Sequence, residues 1–125
     1  VEFSELMDKA KGVLNARRLS ETGQAGSVAA ALLTEKGNVY LGVCIDVTSG
    51  MGFCAEHAAI AAMVTAGENS IEKIVAVGTG GIMPPCGRCR EFIRQIHDGN
   101  ICTQVMVADD IVCTIGDLLP YAVKK

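Results

Sequence analysis

Two cysteine clusters constrain this chain more than any other feature. Cys54-Ala55-Glu56 stands in one place and Pro85-Cys86-Gly87-Arg88-Cys89-Arg90 in another, with 31 residues between Cys54 and Cys86. Each cluster opens a stretch that reads as helix. The first follows a Gly/Ser-rich connection over residues 48–52, runs through an Ala-rich segment, and meets Gly67 where a C-cap belongs, which predicts a buried helix over 54–66. The second follows Pro84-Pro85, which no helix crosses, and carries Cys89, Phe92, Ile93 and Ile96 at helical spacing over 86–97. A CxxC on the first turn of a helix aims two sulfurs at one point, and Cys54 at the other helix start can supply a third. The positive ends of both helices favour thiolate over thiol.

Three sulfurs at one point suit zinc. A catalytic zinc takes three protein ligands and keeps its fourth position for water or substrate, whereas a fourth protein ligand closes the site. Cys44, Cys102 and Cys113 lack the paired spacing and are expected to be small core residues, which leaves the site open. Glu56, two positions after Cys54, sits near such a metal without pointing where the sulfur points. Its carboxylate can take a proton from a water that the metal has made acidic and hand it on, as general base and then general acid. His57 is expected to pack or hydrogen-bond rather than ligate, and Glu91 and Arg94 to form a solvated helix face.

Composition narrows the substrate. The chain carries a net charge of −3 with no Lys/Arg stripe, and its aromatics are Phe3, Phe53, Phe92, Tyr40 and Tyr121. Nucleic acids are met by basic, aromatic-bearing surfaces, so a small molecule is expected and a nucleic acid is not. Half of the 125 residues are apolar, enough for a single domain over 1–125 with a core that needs no disulfides. Charges at Glu2, Glu5, Asp8, Lys9 and Lys11 stand where a secretory leader would be apolar, and no run approaches the ~20 apolar residues of a membrane span. A cytoplasmic protein with reduced cysteines and no membrane partner is expected.

The remaining periodicities complete an α/β pattern. Phe3, Leu6, Met7, Ala10, Val13 and Leu14 recur at helical spacing and predict an amphipathic helix over 3–18. Strands are expected at 27–33 and 39–45 around the turn Lys36-Gly37-Asn38, at 71–77, and at 103–107 and 111–113 around Ala108-Asp109-Asp110, with a short helix at 116–119. The order predicts a sheet of five strands covered by helices on both faces.

The paired motifs resemble the signature of the zinc-dependent cytidine deaminase family, in its small all-cysteine form that acts on free nucleosides. Residues 27–32, 42–43 and 117–120 resemble the family's first strand, the end of its second, and its terminal helix. The resemblance implies a three-layer α/β/α sandwich with a mixed five-stranded sheet, a homotetramer, and zinc held by Cys54, Cys86 and Cys89. It implies hydrolysis at C4 of cytosine to the uracil form with release of ammonia, Glu56 moving the protons and the backbone near Ala55 and Pro85 holding the base edges. Three departures bear on substrate. Gly26 or a neighbour stands where cytidine-specific members carry a Phe that packs on the base. Cys44-Ile45-Asp46 replaces an Asn-x-Glu that binds the ribose 3′-hydroxyl; Asp46 can still accept that bond. His57 replaces a common Arg, while Arg88 can offset the thiolate charge in an arrangement similar to blasticidin S deaminase, so the nucleoside is cytidine, deoxycytidine or a modified one. Two other readings use the same residues: a zinc-stabilised binding or interaction protein without activity, and a thiol redox protein working through Cys86 and Cys89.

Overall fold

The computed structural model describes residues 1–123. Its helices are α1 (Phe3–Val13), α2 (Ala55–Thr65), α3 (Gly87–Ile96) and α4 (Ile115–Leu118); its strands are β1 (Arg17–Ser20), β2 (Gly23–Thr34), β3 (Val39–Val47), β4 (Ile71–Gly78), β5 (Gly81–Ile82), β6 (Gln104–Ala108) and β7 (Ile111–Thr114). The sheet runs β3-β2-β4-β6-β7, with β1 on the same edge of β2 as β4 and β5 folded back on the end of β4. Only β4 and β6 pair in parallel, so the sheet is mixed.

Period-two alternation along the central strands feeds two cores. Ala29, Ala31 and Leu33 of β2 with Val75 and Val77 of β4 face Phe3, Leu6 and Ala10 of α1. Their neighbours Ala30, Leu32, Ile74 and Ala76 face the other way, against Ile60 and Met63 of α2 and Ile93 of α3. Strands buried on both faces read as continuous apolar runs, as 27–33 does in the sequence. The helices on either side make the three layers expected of this α/β chain.

Seven strands replace the expected five. The two additions escape pattern recognition for a physical reason: β1 is exposed at all four positions, and β5 has two residues. β1 also shortens the first helix, which ends at Val13 instead of reaching residue 18. Leu14 turns extended, and the amide of Asn15 then donates to the carbonyl of Gly26 at 3.0 Å, which begins pairing with β2.

One close approach fixes α2 against the sheet. A Cβ on Gly42 of β3 would lie 2.6 Å from the Ala58 Cβ and 2.8 Å from the Ala55 carbonyl oxygen, so the first turn of α2 rests directly on the strand backbone. That turn carries Glu56 and His57.

Candidate metal centre and active-site cleft

Backbone pairing delivers each cysteine to its place. Phe53 exchanges two hydrogen bonds with Ile45 of β3, at 2.9 and 3.0 Å, and the next residue, Cys54, is the extended N-cap of α2. On the other side the amide of Met83 donates to the Ala76 carbonyl of β4 at 2.9 Å. That bond pins the start of the Pro84-Pro85 loop, which ends at Cys86, the extended N-cap of α3. Cys89 lies in the first turn of α3 and is buried. The sulfurs meet: Cys54 to Cys86 is 3.5 Å, Cys86 to Cys89 is 3.6 Å, and all three lie within 4.8 Å of one another.

Tetrahedral ligation at about 2.3 Å sets sulfurs about 3.8 Å apart, so the observed cluster has the spacing of a thiolate site. Two of its three thiols are held toward the neutral form unless a cation joins them. Burial, then the charge of nearby Glu56, pushes the Cys89 thiol far above the ordinary range. Burial, then the Cys86 sulfur, raises Cys54 as well. Burial opposes ionisation of Cys86 too, yet the amides of Cys89 and Arg88 and the neighbouring thiols outweigh it and bring this thiol down. Three sulfurs can all ionise here when a cation is among them.

Glu56 is 5% exposed, and burial raises its carboxyl above the ordinary value. A carboxyl so placed exchanges protons more readily near neutrality than a solvated one does. His57, the next residue, places Nδ1 3.3 Å from Cys89 Sγ and stacks on Phe92 with ring centroids 4.3 Å apart.

The cluster forms one end of a cleft of about 450 Å³ that opens to solvent. Cys54, Cys86, Glu56 and Arg88 line that end, and Ser27, Cys44 and Asp46 line the wall formed by β2 and β3. Ser27 Oγ lies 3.3 Å from Cys44 Sγ, which in turn lies 3.7 Å from an Asp46 carboxylate oxygen. Val28, Phe53 and Met83 add apolar wall.

Residues 2–105 match the family described as the cytidine and deoxycytidylate deaminase zinc-binding region. The chain belongs to this family. It is 34% identical over 102 residues to a cytidine deaminase of Sporosarcina psychrophila, covering 78% of this chain and 75% of that protein. A Mycobacterium tuberculosis cytidine deaminase is 32% identical over 99 residues, covering 77% of this chain and 71% of that one. The crystal structure of cytidine deaminase from Mycobacterium tuberculosis superposes with a TM-score of 0.82 at 27% identity, covering 100% of this chain and 99% of that chain. A cytidine deaminase structure from Burkholderia pseudomallei gives 0.79 at 29% identity, with 98% and 100% covered. As a member of this zinc-dependent deaminase family the protein uses Zn²⁺, and its cysteine cluster suits that ion.

Within this deaminase frame the residues singled out from sequence divide into three groups. Cys54, Glu56, Cys86, Cys89 and Arg88 converge on one end of the cleft, and Cys44 and Asp46 line it. Ala55 and Pro85 are buried just behind the lining, next to Cys54 and Pro84 that form it. Gly26 stands at φ +83 in a bulge of β2, and a Cβ there would collide with the Asn15 carbonyl, so no aromatic side chain fits. The reading of Cys44 as a core residue holds, while that of Cys102 and Cys113 needs correction. Cys44 is buried in the core and also lines the cleft; Cys113 is half-buried, and Cys102 is exposed at the end of a 3-10 turn over 98–102 that buries Asn100 and that the strand pattern does not anticipate.

Sequence reasoning missed Phe53, Met83 and Ser27 as cleft wall. Nothing in local pattern marks them, since a bridge and a loop put them there. The His57 contact carried a faint signal: His57 lies one turn after Cys54, and Phe92 one turn after Cys89.

Proposed function

We propose that the protein is a hydrolytic deaminase of a free cytosine nucleoside, forming the uracil nucleoside and ammonia. One observation carries the reading: three sulfurs with the spacing of a thiolate metal site and a buried carboxyl share one end of a single open cleft. Cys54, Cys86 and Cys89 hold the zinc. When bound, zinc supplies Lewis acidity that brings a water's pKa to about 7. Glu56 takes one proton of the attacking water and places it on N3 of the ring, then takes the proton of the hydroxyl newly bonded to C4 and delivers it to the amino group, which leaves as ammonia while the C4 carbonyl forms. A carboxyl kept from solvent and raised above its ordinary value suits both donation and acceptance.

The rest of the cleft orients the substrate. Pro85 presents a carbonyl fixed by the Arg90 guanidinium, whose Nε donates to it at 2.8 Å, and Ala55, first residue of α2, has an N–H with no partner inside its helix. These two backbone groups hold the base edges. Asp46 accepts a hydroxyl from the sugar, with Cys44 beside it. Arg88 offsets the negative charge that three thiolates leave around a divalent ion. One cation among two carboxylates makes a poor seat for a 5′-phosphate, which favours a nucleoside over a nucleotide. Cys44 in place of an amide and the bare Gly26 favour a modified nucleoside, such as blasticidin S, beside cytidine and deoxycytidine.

The working unit is a homotetramer of single-domain chains in the cytoplasm, with no nucleic-acid or membrane partner. Supporting assembly, α2 is apolar on its outer face as well, where Ala61, Ala62 and Val64 lie exposed. Among the described residues no helix is long and apolar enough to cross a membrane. Ammonia release from cytidine, deoxycytidine, blasticidin S and deoxycytidylate tests the reading. Turnover of at least one of the three nucleosides, well above deoxycytidylate, is expected; no release from any zinc-loaded sample would overturn it.

A further inference from the structure

His57 is held between the first turns of α2 and α3 at 8% exposure. Its ring lies flat on Phe92, within 5° of parallel, and its Nδ1 is 3.3 Å from Cys89 Sγ. One helix therefore presents both the sulfur that the imidazole touches and the ring that orients it. The opposite helix carries His57 one turn after Cys54 and directly after Glu56.

A cysteine that ligates a cation is a thiolate, and a thiolate accepts hydrogen bonds without donating any. Given the metal site proposed above, on which this inference rests, the contact can run in one direction only. We propose that His57 is a positioning residue of the metal centre: its imidazole, held in plane by the Phe92 stack, donates one hydrogen bond from Nδ1–H to the Cys89 thiolate.

The other surroundings agree. Cys89 is the buried sulfur of the three, next to Glu56, and gains most from a donor. Cys86 already has the amides of Arg88 and Cys89 close by. A thiolate that shares charge with an N–H gives less of it to the metal, so the ion remains a stronger Lewis acid. The same bond ties α2 to α3 at the point where the two must stay in register.

Two variants separate donor from ring. His57→Phe keeps a flat ring on Phe92 without the donor, and His57→Asn keeps an N–H near the Nδ1 position without the stack. In protein loaded with cobalt(II) in place of zinc, the sulfur-to-metal charge-transfer band reports charge on the thiolates. That band should move to lower energy in His57→Phe and return toward the wild-type position in His57→Asn. Zinc affinity, read by competition with a chromophoric chelator, should fall about 10–100-fold in His57→Phe. An unshifted band with unchanged affinity in His57→Phe, or an equal shift in both variants, overturns the hydrogen bond while leaving the metal site intact. Wild-type protein that takes up no cobalt or zinc overturns both. Nitrogen-15 NMR of the zinc-loaded wild type gives a check that no variant can spoil: a protonated Nδ1 with bare Nε2 is expected, and the reverse tautomer refutes the assignment.

Discussion

Glu56 and Arg88 sit at the same end of the cleft and are expected to fail differently. Glu56 is buried, and its proposed role is proton transfer at more than one step, so Glu56→Gln should keep fold and zinc yet lose more than the ~10²–10⁴-fold typical of one general acid–base group. Metal analysis beside ammonia release checks this, and a variant within tenfold of wild type would remove Glu56 from the chemistry. Arg88 is exposed, and its proposed contribution is charge. In Arg88→Gln, zinc content should hold while the pH of half-maximal activity rises, because a lost positive charge makes the attacking water harder to ionise. A pH profile superposable on that of the wild type would show the charge to be idle. Residue types and spacing in CAE and CGRC suggest both proposed roles, and the structure places the two side chains at one end of the cleft. His57 was legible as a residue that packs or hydrogen-bonds, but its partner was not, because Cys89 lies 32 positions away and meets it through the packing of α2 beside α3.

At the scale of elements, contact between α2 and β3 decides whether the first turn of α2 stands where the chemistry needs it. Gly42→Ala would drive a methyl into Ala58 and the Ala55 carbonyl, and overpacking of this kind costs about 1–3 kcal/mol. Because the displaced backbone carries Glu56, activity should fall further than thermal stability alone explains; full activity in a destabilised variant would separate the two. The far end of α2 is tied down by Glu68. Hydrogen bonds from the Thr34 hydroxyl first, then from Asn38 and Tyr40, hold its carboxyl below the ordinary glutamate range, and the latter two measure 2.8 Å. A carboxyl depressed in the folded state adds stability above its unfolded pKa of about 4.3 and loses it as pH falls through the folded value. Glu68→Gln should therefore lower Tm at pH 7, and the gap from wild type should narrow as pH drops below about 4. A gap that stays constant from pH 7 to 3 would show that the charge of Glu68 contributes nothing. Helices α2 and α3 were legible from Ala content, Pro-Pro punctuation and helical spacing. Strands β1 and β5 were not, since neither buries a face and both exist only as partners of longer strands.

For the molecule as a whole, the cysteine cluster joins two helices that pack on the same face of the sheet, so a metal held there as proposed is also a clamp. Chelation should lower Tm, and readdition of zinc should restore it, because a ligand bound only by the folded state stabilises that state. A Tm indifferent to chelation would place the metal outside the fold. The exposed apolar face of α2 is where the proposed tetramer can be tested. Sedimentation should give the mass of four chains for the wild type and a smaller species for Val64→Lys, which puts a charge on a half-exposed apolar position; an unchanged mass would move the interface elsewhere.

What the sequence determined by itself is local and chemical. Cys54, Glu56, Cys86 and Cys89 are set by residue type and spacing, and the helices and five of the strands by period and punctuation, because each such signal lies within a few residues of chain. What only the tertiary structure decided depends on groups far apart in sequence. The bridge between Ile45 and Phe53 and the anchored loop before Cys86 bring the cleft walls together. The bulge at Gly26 excludes an aromatic there, and the approach at Gly42 lets α2 lie close to β3. His57 gains its sulfur and its stacked ring only when two helices meet. Such contacts are selected by packing, which no window of neighbouring residues contains.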